Sequence, residues 1–187
     1  MNIDALSCSG HKFGGLKGSG FLYCKREFLT SMINGGGQEK GVRSGTENTL
    51  GIISMKYALE KILHKNQNKI RKIYIYLSEA LEKIGGVINV KQDEMSHIIS
   101  VFFKGISNEG LINYLDIHNI YVSSGAACKG NIIDHSHVLE ALGYSNKRIN
   151  QTIRISFSHE TKLNDCLHLV KTIDQYIKLS YLNKKTN

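Results

Sequence analysis

Glycine crowds the first quarter of this chain. Gly10, Gly14, Gly15, Gly18 and Gly20 stand close together, and Gly35, Gly36, Gly37, Gly41 and Gly45 follow. Glycine at this density marks tight turns and close backbone approach, often to a phosphate. The two familiar phosphate loops are absent. No Gly-Lys-Ser/Thr occurs, which excludes a Walker loop, and Gly-x-Gly-x-x-Gly does not occur either. Proline is missing altogether from the 187 residues, so Pro-rich linkers and polyproline ligands are ruled out.

The rest of the chain reads as alternating elements. Phe21-Leu22-Tyr23 is strand-like. Ser44-Gly45-Thr46-Glu47 fits a capping box, which opens a helix with Ile52, Met55, Leu59 and Ile62 on one stripe. A second helix carries Ile70, Ile73, Leu77, Leu81 and Ile84, and Gly85-Gly86 closes it. The join between these helices, about Lys65 to Lys69, reads as a domain boundary, giving units 1–65 and 66–187. Strands are expected over Val87–Val90, Ile98–Phe103, Ile120–Ser123 and Thr152–Phe157. Helices are expected over Asn108–His118, Ser136–Leu142 and Leu163 to about Tyr181. On the last helix Leu163, Leu167, Val170, Ile173 and Ile177 share a face. The second unit is therefore a small sheet covered by helices.

Charge and cysteine usage narrow the function. The net charge is +8, but the basic residues are scattered, with a loose cluster from Lys56 to Lys72 and another in the C-terminal tail. That pattern fits solvated helix faces better than a nucleic-acid surface. No stretch reaches the ~18 apolar residues of a membrane span. The N-terminus shows no signal-peptide core, so a soluble, cytoplasmic protein is expected. Cys8, Cys24, Cys128 and Cys166 form no Cys-x-x-Cys pair, and free thiols are expected. Cys8 with His11, and His135 with His137, are half-pairs that never complete a zinc set, so no metal is expected.

Four ordered motifs carry the chemistry. They are Ser9-x-His11-Lys12-x-x-Gly15-x-x-Gly18-x-Gly20-x-Leu22-Tyr23; Gly35-Gly36-Gly37-Gln38-Glu39-x-Gly41-x-Arg43-x-Gly45-Thr46-x-Asn48; Ser123-Ser124-Gly125-x-x-Cys128; and Ile153-Arg154-Ile155-Ser156. Together they resemble the cysteine desulfurases of the class V aminotransferase group, of the type that feeds iron–sulfur cluster assembly. The resemblance runs from about Asp4 to Tyr176. It implies the C-terminal part of a fold-type I, pyridoxal-phosphate-dependent α/β transferase: the end of the large cofactor domain over 1–65, and a complete small α+β domain over 66–187.

The resemblance also implies roles. Lys12 matches the lysine that forms the Schiff base with pyridoxal 5'-phosphate. Ser9 and His11 match its phosphate-binding neighbours. Thr46 matches a threonine that reaches the phosphate of a partner subunit, which implies a homodimer. Cys128 matches the nucleophile that takes sulfur from L-cysteine as a persulfide, leaving L-alanine, and passes it to an iron–sulfur scaffold or another acceptor, tRNA thiolation included. Arg154 matches the clamp on the substrate carboxylate, a bidentate task suited to arginine. Only 25 residues separate Cys128 from Arg154, as in the subgroup whose cysteine rides on a long mobile loop. Cys8, Cys24 and Cys166 match no family function, and Cys166 is expected in the core. His97, His118, His159 and His168 are expected as surface or packing residues.

The pattern also departs from the family. Leu16 stands where a proline is usual, no proline occurs near Asp134, and Ser158 replaces a common glycine. The long N-terminal half of the family, with its aspartate for the pyridine nitrogen and its ring-stacking histidine, has no counterpart, and Asp4 does not match that aspartate. A second reading therefore stays open: a non-catalytic domain that binds a sulfur-acceptor scaffold or a full-length desulfurase.

Overall fold

A computed structural model describes residues 2–25, 29–63, 67–90, 97–125 and 136–185. The chain divides into two compact units, Met1–Lys65 and Asn66–Asn187.

The first unit is built on a two-stranded antiparallel ribbon. β1 (Ala5–Ser9) pairs with β2 (Gly20–Cys24), with Ala5 opposite Cys24 and Ser9 opposite Gly20. β1 lacks β-branched residues, so its sequence gives no strand signal; pairing with the aromatic β2 makes it a strand. Gly20 is required there, because a Cβ would stand 2.6 Å from the Cys8 carbonyl oxygen. At the open end of the ribbon Lys25 Nζ donates to Asp4 Oδ1 at 2.6 Å, an exposed pair of little energetic weight.

α1 (Thr49–Leu63) follows. The expected capping box at Ser44–Glu47 is not its start. Asn48 Oδ1 accepts the Gly51 N–H at 3.0 Å, while Ser44 is buried and donates its own N–H to the Ile33 carbonyl at 2.9 Å. The side chain that reaches the third helical amide is the cap, and that is asparagine here. The expected apolar stripe is only partly covered. Met55 and Ala58 are buried and Ile62 is half-buried, but Ile52 and Leu59 are exposed, with Leu50, Ile53 and Tyr57.

The second unit holds the larger core. β3 (Gly86–Ile88), β4 (Ile98–Phe103) and β5 (Thr152–Ser156) form an antiparallel sheet with β4 in the centre. Ile99 lies opposite Ile155, and Val101 opposite Ile153. Alternation gives this sheet two chemically different faces. Ile99, Val101, Phe103, Ile153 and Ile155 pack with Ile70, Leu77 and Leu81 of α2 (Gln67–Lys83), Leu111 and Leu115 of α3 (Asn108–Ile117), and Leu169 and Ile173 of α6 (Leu163–Lys185). Each such side chain contributes about 1.5–3 kcal/mol on burial. The other face carries Ser100, Phe102, Thr152 and Arg154.

α2 ends as the sequence implies, with Gly85 left-handed at φ 89° and its N–H on the Glu82 carbonyl. α3 starts at Ser107, whose hydroxyl accepts the Gly110 N–H. Ile120–Ser123 is no strand. Its backbone pairing with the sheet is one antiparallel bridge, Ser123 to Arg154. The buried stripe of α6 is rotated from the expected one: Cys166, Leu169, Thr172 and Ile173 are buried, whereas Leu163 and Leu167 are exposed. Two short helices, α4 (His137–Ala141) and α5 (Asn146–Ile149), precede β5.

Candidate active site

Ser9, His11 and Lys12 share one turn of the first unit. β1 runs directly into a single 3-10 turn, Gly10–Lys12. Gly10 makes that turn possible: a Cβ there would lie 2.6 Å from Ser19 Oγ and 3.0 Å from Met55 Cγ, and the Gly10 N–H donates to the Ser19 carbonyl at 2.8 Å. The glycine is buried while Ser9, His11 and Lys12 on either side are exposed. Ser9 sits at the N-cap position, yet its hydroxyl makes no capping bond. A hydroxyl, an imidazole and an ammonium are thus presented together, with no carboxylate between them in the sequence.

Leu16, the departure from the family's proline, has a clear local role. Its N–H donates to Ser54 Oγ of α1 at 3.0 Å, a bond proline cannot make. Ser19 Oγ donates to the Leu16 carbonyl at 2.7 Å. The glycine turn is therefore fastened to α1.

Thr46 lies on a separate loop of the same unit, exposed, just before the Asn48 cap. That loop is braced. Glu39, Lys40 and Gly41 are successively left-handed, at φ 50°, 58° and 81°. Gln38 Oε1 accepts the Gly45 N–H at 3.1 Å, and Arg43 Nη1 donates to the Ser44 carbonyl at 3.2 Å. Gln38 was not singled out by sequence reasoning. Only its place in the Gly-Gly-Gly-Gln-Glu run marks it.

Arg154 belongs to the second unit. Its backbone is held on both sides: the Arg154 N–H donates to the Ser123 carbonyl at 2.6 Å, and the Ser123 N–H donates to the Arg154 carbonyl at 3.2 Å. On the sheet it faces Ser100. Its side-chain Nε is buried with no hydrogen-bond partner among the described residues. A buried donor without a partner is costly, so this one calls for an acceptor beyond the described residues. Cys128 lies outside the described residues. The last described residue before it is Gly125, to whose carbonyl Ser123 Oγ donates at 3.2 Å.

Cys166 is only 2 % exposed, and burial, reinforced by the Asp165 charge, pushes its thiol pKa up from the ordinary 9.0. A thiol held neutral is a poor nucleophile and a good packing residue. Among the described residues no group of three His, Cys, Asp or Glu side chains could hold a metal ion, and no helix is long and apolar enough to cross a membrane.

The profile of the aminotransferase class-V family matches residues 1–169. The chain belongs to that family. Its relatives are cysteine desulfurases. The cysteine desulfurase IscS of Acinetobacter baumannii is 35% identical over 178 residues, covering 91% of this chain and 44% of the relative. The crystal structure of a NifS-like protein from Rickettsia africae superposes with a TM-score of 0.80 at 33% identity, covering 94% of this chain and 48% of that one. A structure described as SspA in complex with cysteine matches with a TM-score of 0.64 at 31% identity, over 83% of this chain and 44% of that one. This class-V chain thus has the mixed α/β fold of NifS-like, pyridoxal-phosphate-dependent cysteine desulfurases, and it spans about half the length of the curated relatives it matches.

Proposed function

We propose that this class-V chain is the C-terminal half of a cysteine desulfurase, with the end of the cofactor domain in 1–65 and the small domain in 66–187. The observation that carries the reading is the bridge between Ser123 and Arg154. It ties a strand bearing a buried guanidinium N–H, without a partner among the described residues, to the stem from which Cys128 follows.

The donor set of the first unit fits a phosphorylated aldehyde. Ser9 Oγ and the His11 ring would bind the phosphate of pyridoxal 5'-phosphate, Lys12 would bind its aldehyde carbon, and Thr46 would reach the phosphate of a second subunit in a homodimer. When bound there, the cofactor supplies an electron sink for the pair left at the substrate Cα. Arg154 holds the L-cysteine carboxylate through its guanidinium fork. The Lys12 amine, once displaced, takes the Cα proton. The Cys128 thiolate attacks the substrate sulfur: an S–S bond forms, the Cβ–S bond breaks, Cβ takes up a proton, and Lys12 returns a proton to Cα. L-cysteine and the Cys128 thiol thus become L-alanine and a Cys128 persulfide. The persulfide then passes its outer sulfur to an acceptor protein of the iron–sulfur scaffold or tRNA-thiolation kind.

The test supplies the chain, pyridoxal phosphate and a polypeptide covering the other half of its relatives, then follows alanine release from L-cysteine. Lys12→Ala and Cys128→Ser are each expected to abolish turnover. Normal turnover by either variant would contradict the assignment. The exposed apolar face of α1 favours a second reading, in which the chain is a non-catalytic partner of a full-length desulfurase; for that reading no turnover appears in any combination.

A further inference from the structure

The loop that leads to Thr46 is held by a side chain from its own tip. At its base Ile33 and Arg43 pair in one parallel bridge, and the Ser44 N–H donates to the Ile33 carbonyl at 2.9 Å. Beyond the base the chain turns back on itself. The Gly41 N–H donates to the Gly37 and Gln38 carbonyls, both at 3.0 Å, and the Val42 N–H donates to the Glu39 carbonyl at 3.2 Å. This turn holds two consecutive residues with side chains, Glu39 and Lys40, in the left-handed region. Such residues adopt it rarely, and a fold keeps it only where the surroundings fix it.

What the turn delivers is the Gln38 amide. The half-buried side chain folds back so that Oε1 accepts the Gly45 N–H at 3.1 Å. A backbone N–H can only donate, so the amide oxygen must be the end that faces Gly45. Gly36 makes room for the amide: a Cβ there would lie 2.8 Å from Gln38 Nε2. Gly45 is left-handed at φ 128°, and a Cβ on it would stand 2.6 Å from Arg43 Nη1, which donates to the Ser44 carbonyl at 3.2 Å. The two residues before Thr46 are therefore both gripped: Ser44 by Ile33 and Arg43, and Gly45 by Gln38. Two residues after Thr46, Asn48 is fixed as the cap of α1 through the Gly51 N–H. Thr46 is the exposed residue between these anchors.

We propose that Gln38 is a positioning residue for Thr46: its amide oxygen fixes the Gly45 peptide and so the direction in which Thr46 is presented. A loop already held in its binding shape does not lose further freedom when an anion binds to it. The inference rests on the reading of Thr46 as a phosphate ligand. Gln38 acts only through Gly45 and does not itself touch the phosphate.

The test compares Gln38→Met and Gln38→Glu in the full chain. Methionine keeps the length of the side chain and removes the strong acceptor, whereas glutamate keeps an acceptor for Gly45. Both should keep the parent's main thermal transition, because the bond is exposed. In the chain alone, amide exchange at Gly45 and Thr46 should quicken by about threefold to tenfold in Gln38→Met and stay parent-like in Gln38→Glu. Combined with the polypeptide covering the other half of its relatives, Gln38→Met should weaken pyridoxal phosphate binding by a similar factor and leave the KM for L-cysteine unchanged. Gln38→Glu should restore cofactor binding. A ligand in direct contact with the phosphate would behave in the opposite order, since a carboxylate repels the anion. Weaker cofactor binding in Gln38→Glu than in Gln38→Met would therefore overturn the proposal, as would parent-like exchange in Gln38→Met. Thr46→Ala separates the two readings. Cofactor loss in Thr46→Ala with none in Gln38→Met would refute the positioning role alone, and normal binding in Thr46→Ala would refute the phosphate role of Thr46 and the proposal with it.

Discussion

Ser123 and Arg154 exchange two backbone hydrogen bonds, 2.6 and 3.2 Å long, outside any regular strand pairing of Ser123. The bridge fastens the stem that leads to Cys128 onto β5, while Arg154 Nε is buried with no hydrogen-bond partner among the described residues. These two facts separate stability from function at one residue. Arg154→Met removes a donor that no described residue satisfies, so it should leave stability unchanged or raise it by up to about 1–2 kcal/mol. In the complemented enzyme the same change should weaken L-cysteine binding by tens to hundreds of fold, about 2–4 kcal/mol. Thermal melts and the KM for cysteine check the two halves. A large loss of stability would mean that the guanidinium is a structural group.

Leu16 gives a test of the glycine turn. Restoring the family's proline, Leu16→Pro, deletes the N–H that Ser54 Oγ accepts. The change should cost about 1 kcal/mol rather than stabilise the turn. Ser54→Ala should cost a similar amount, and the double variant no more than either single one. Urea unfolding of the three variants checks this, and additive losses would rule the bond out.

Cys166 supplies a pH dependence with a fixed sign. Its folded pKa is raised above the unfolded value, so its contribution to stability is complete below the unfolded pKa and is lost as pH climbs through the folded one. The parent should therefore lose more stability than Cys166→Ala as pH rises beyond the ordinary 9.0 of a thiol. Denaturant melts from neutral to alkaline pH measure the difference. Parallel curves would contradict it.

The first unit leaves Leu50 at 73%, Tyr57 at 65% and Ile53 at 51% exposure along α1. An apolar face of this kind drives association. The purified chain should aggregate or dimerise through residues 1–65, bind pyridoxal phosphate weakly and turn over negligibly, while the second unit unfolds cooperatively. Leu50→Glu with Ile53→Lys should reduce the association seen by light scattering without moving the main unfolding transition. Stoichiometric cofactor binding with sustained turnover by the parent alone would overturn this expectation.

Periodicity made most of the second unit legible. Ile98–Phe103 is a short apolar run of strand length, and Ile70, Ile73, Leu77 and Leu81 keep helical spacing, so both elements form where the pattern puts them. What the pattern could not reveal depended on partners distant in the chain. Ala5–Ser9 becomes a strand only because Phe21–Tyr23 pairs with it. The buried face of α6 follows Cys166, Leu169 and Thr172, because packing with α2 and α3 selects it over the more obvious leucines. The order of the four motifs made the candidate residues legible, and spacing placed Ser9, His11 and Lys12 on one turn. Gln38 stands in a legible run, but its hold on the Gly45 N–H is not legible, since an amide shows its partner only once the chain has folded.

The position of the transferred sulfur bears most directly on the reading as a whole. The chain is combined with pyridoxal phosphate, the polypeptide covering the other half of its relatives, and sulfur-labelled L-cysteine. It is then quenched, digested and examined peptide by peptide by mass spectrometry. One labelled sulfur on the peptide containing Cys128, lost on reduction and absent in Cys128→Ser, is the expected result. Label on Cys8, Cys24 or Cys166, or alanine released with Cys128 replaced, would contradict it.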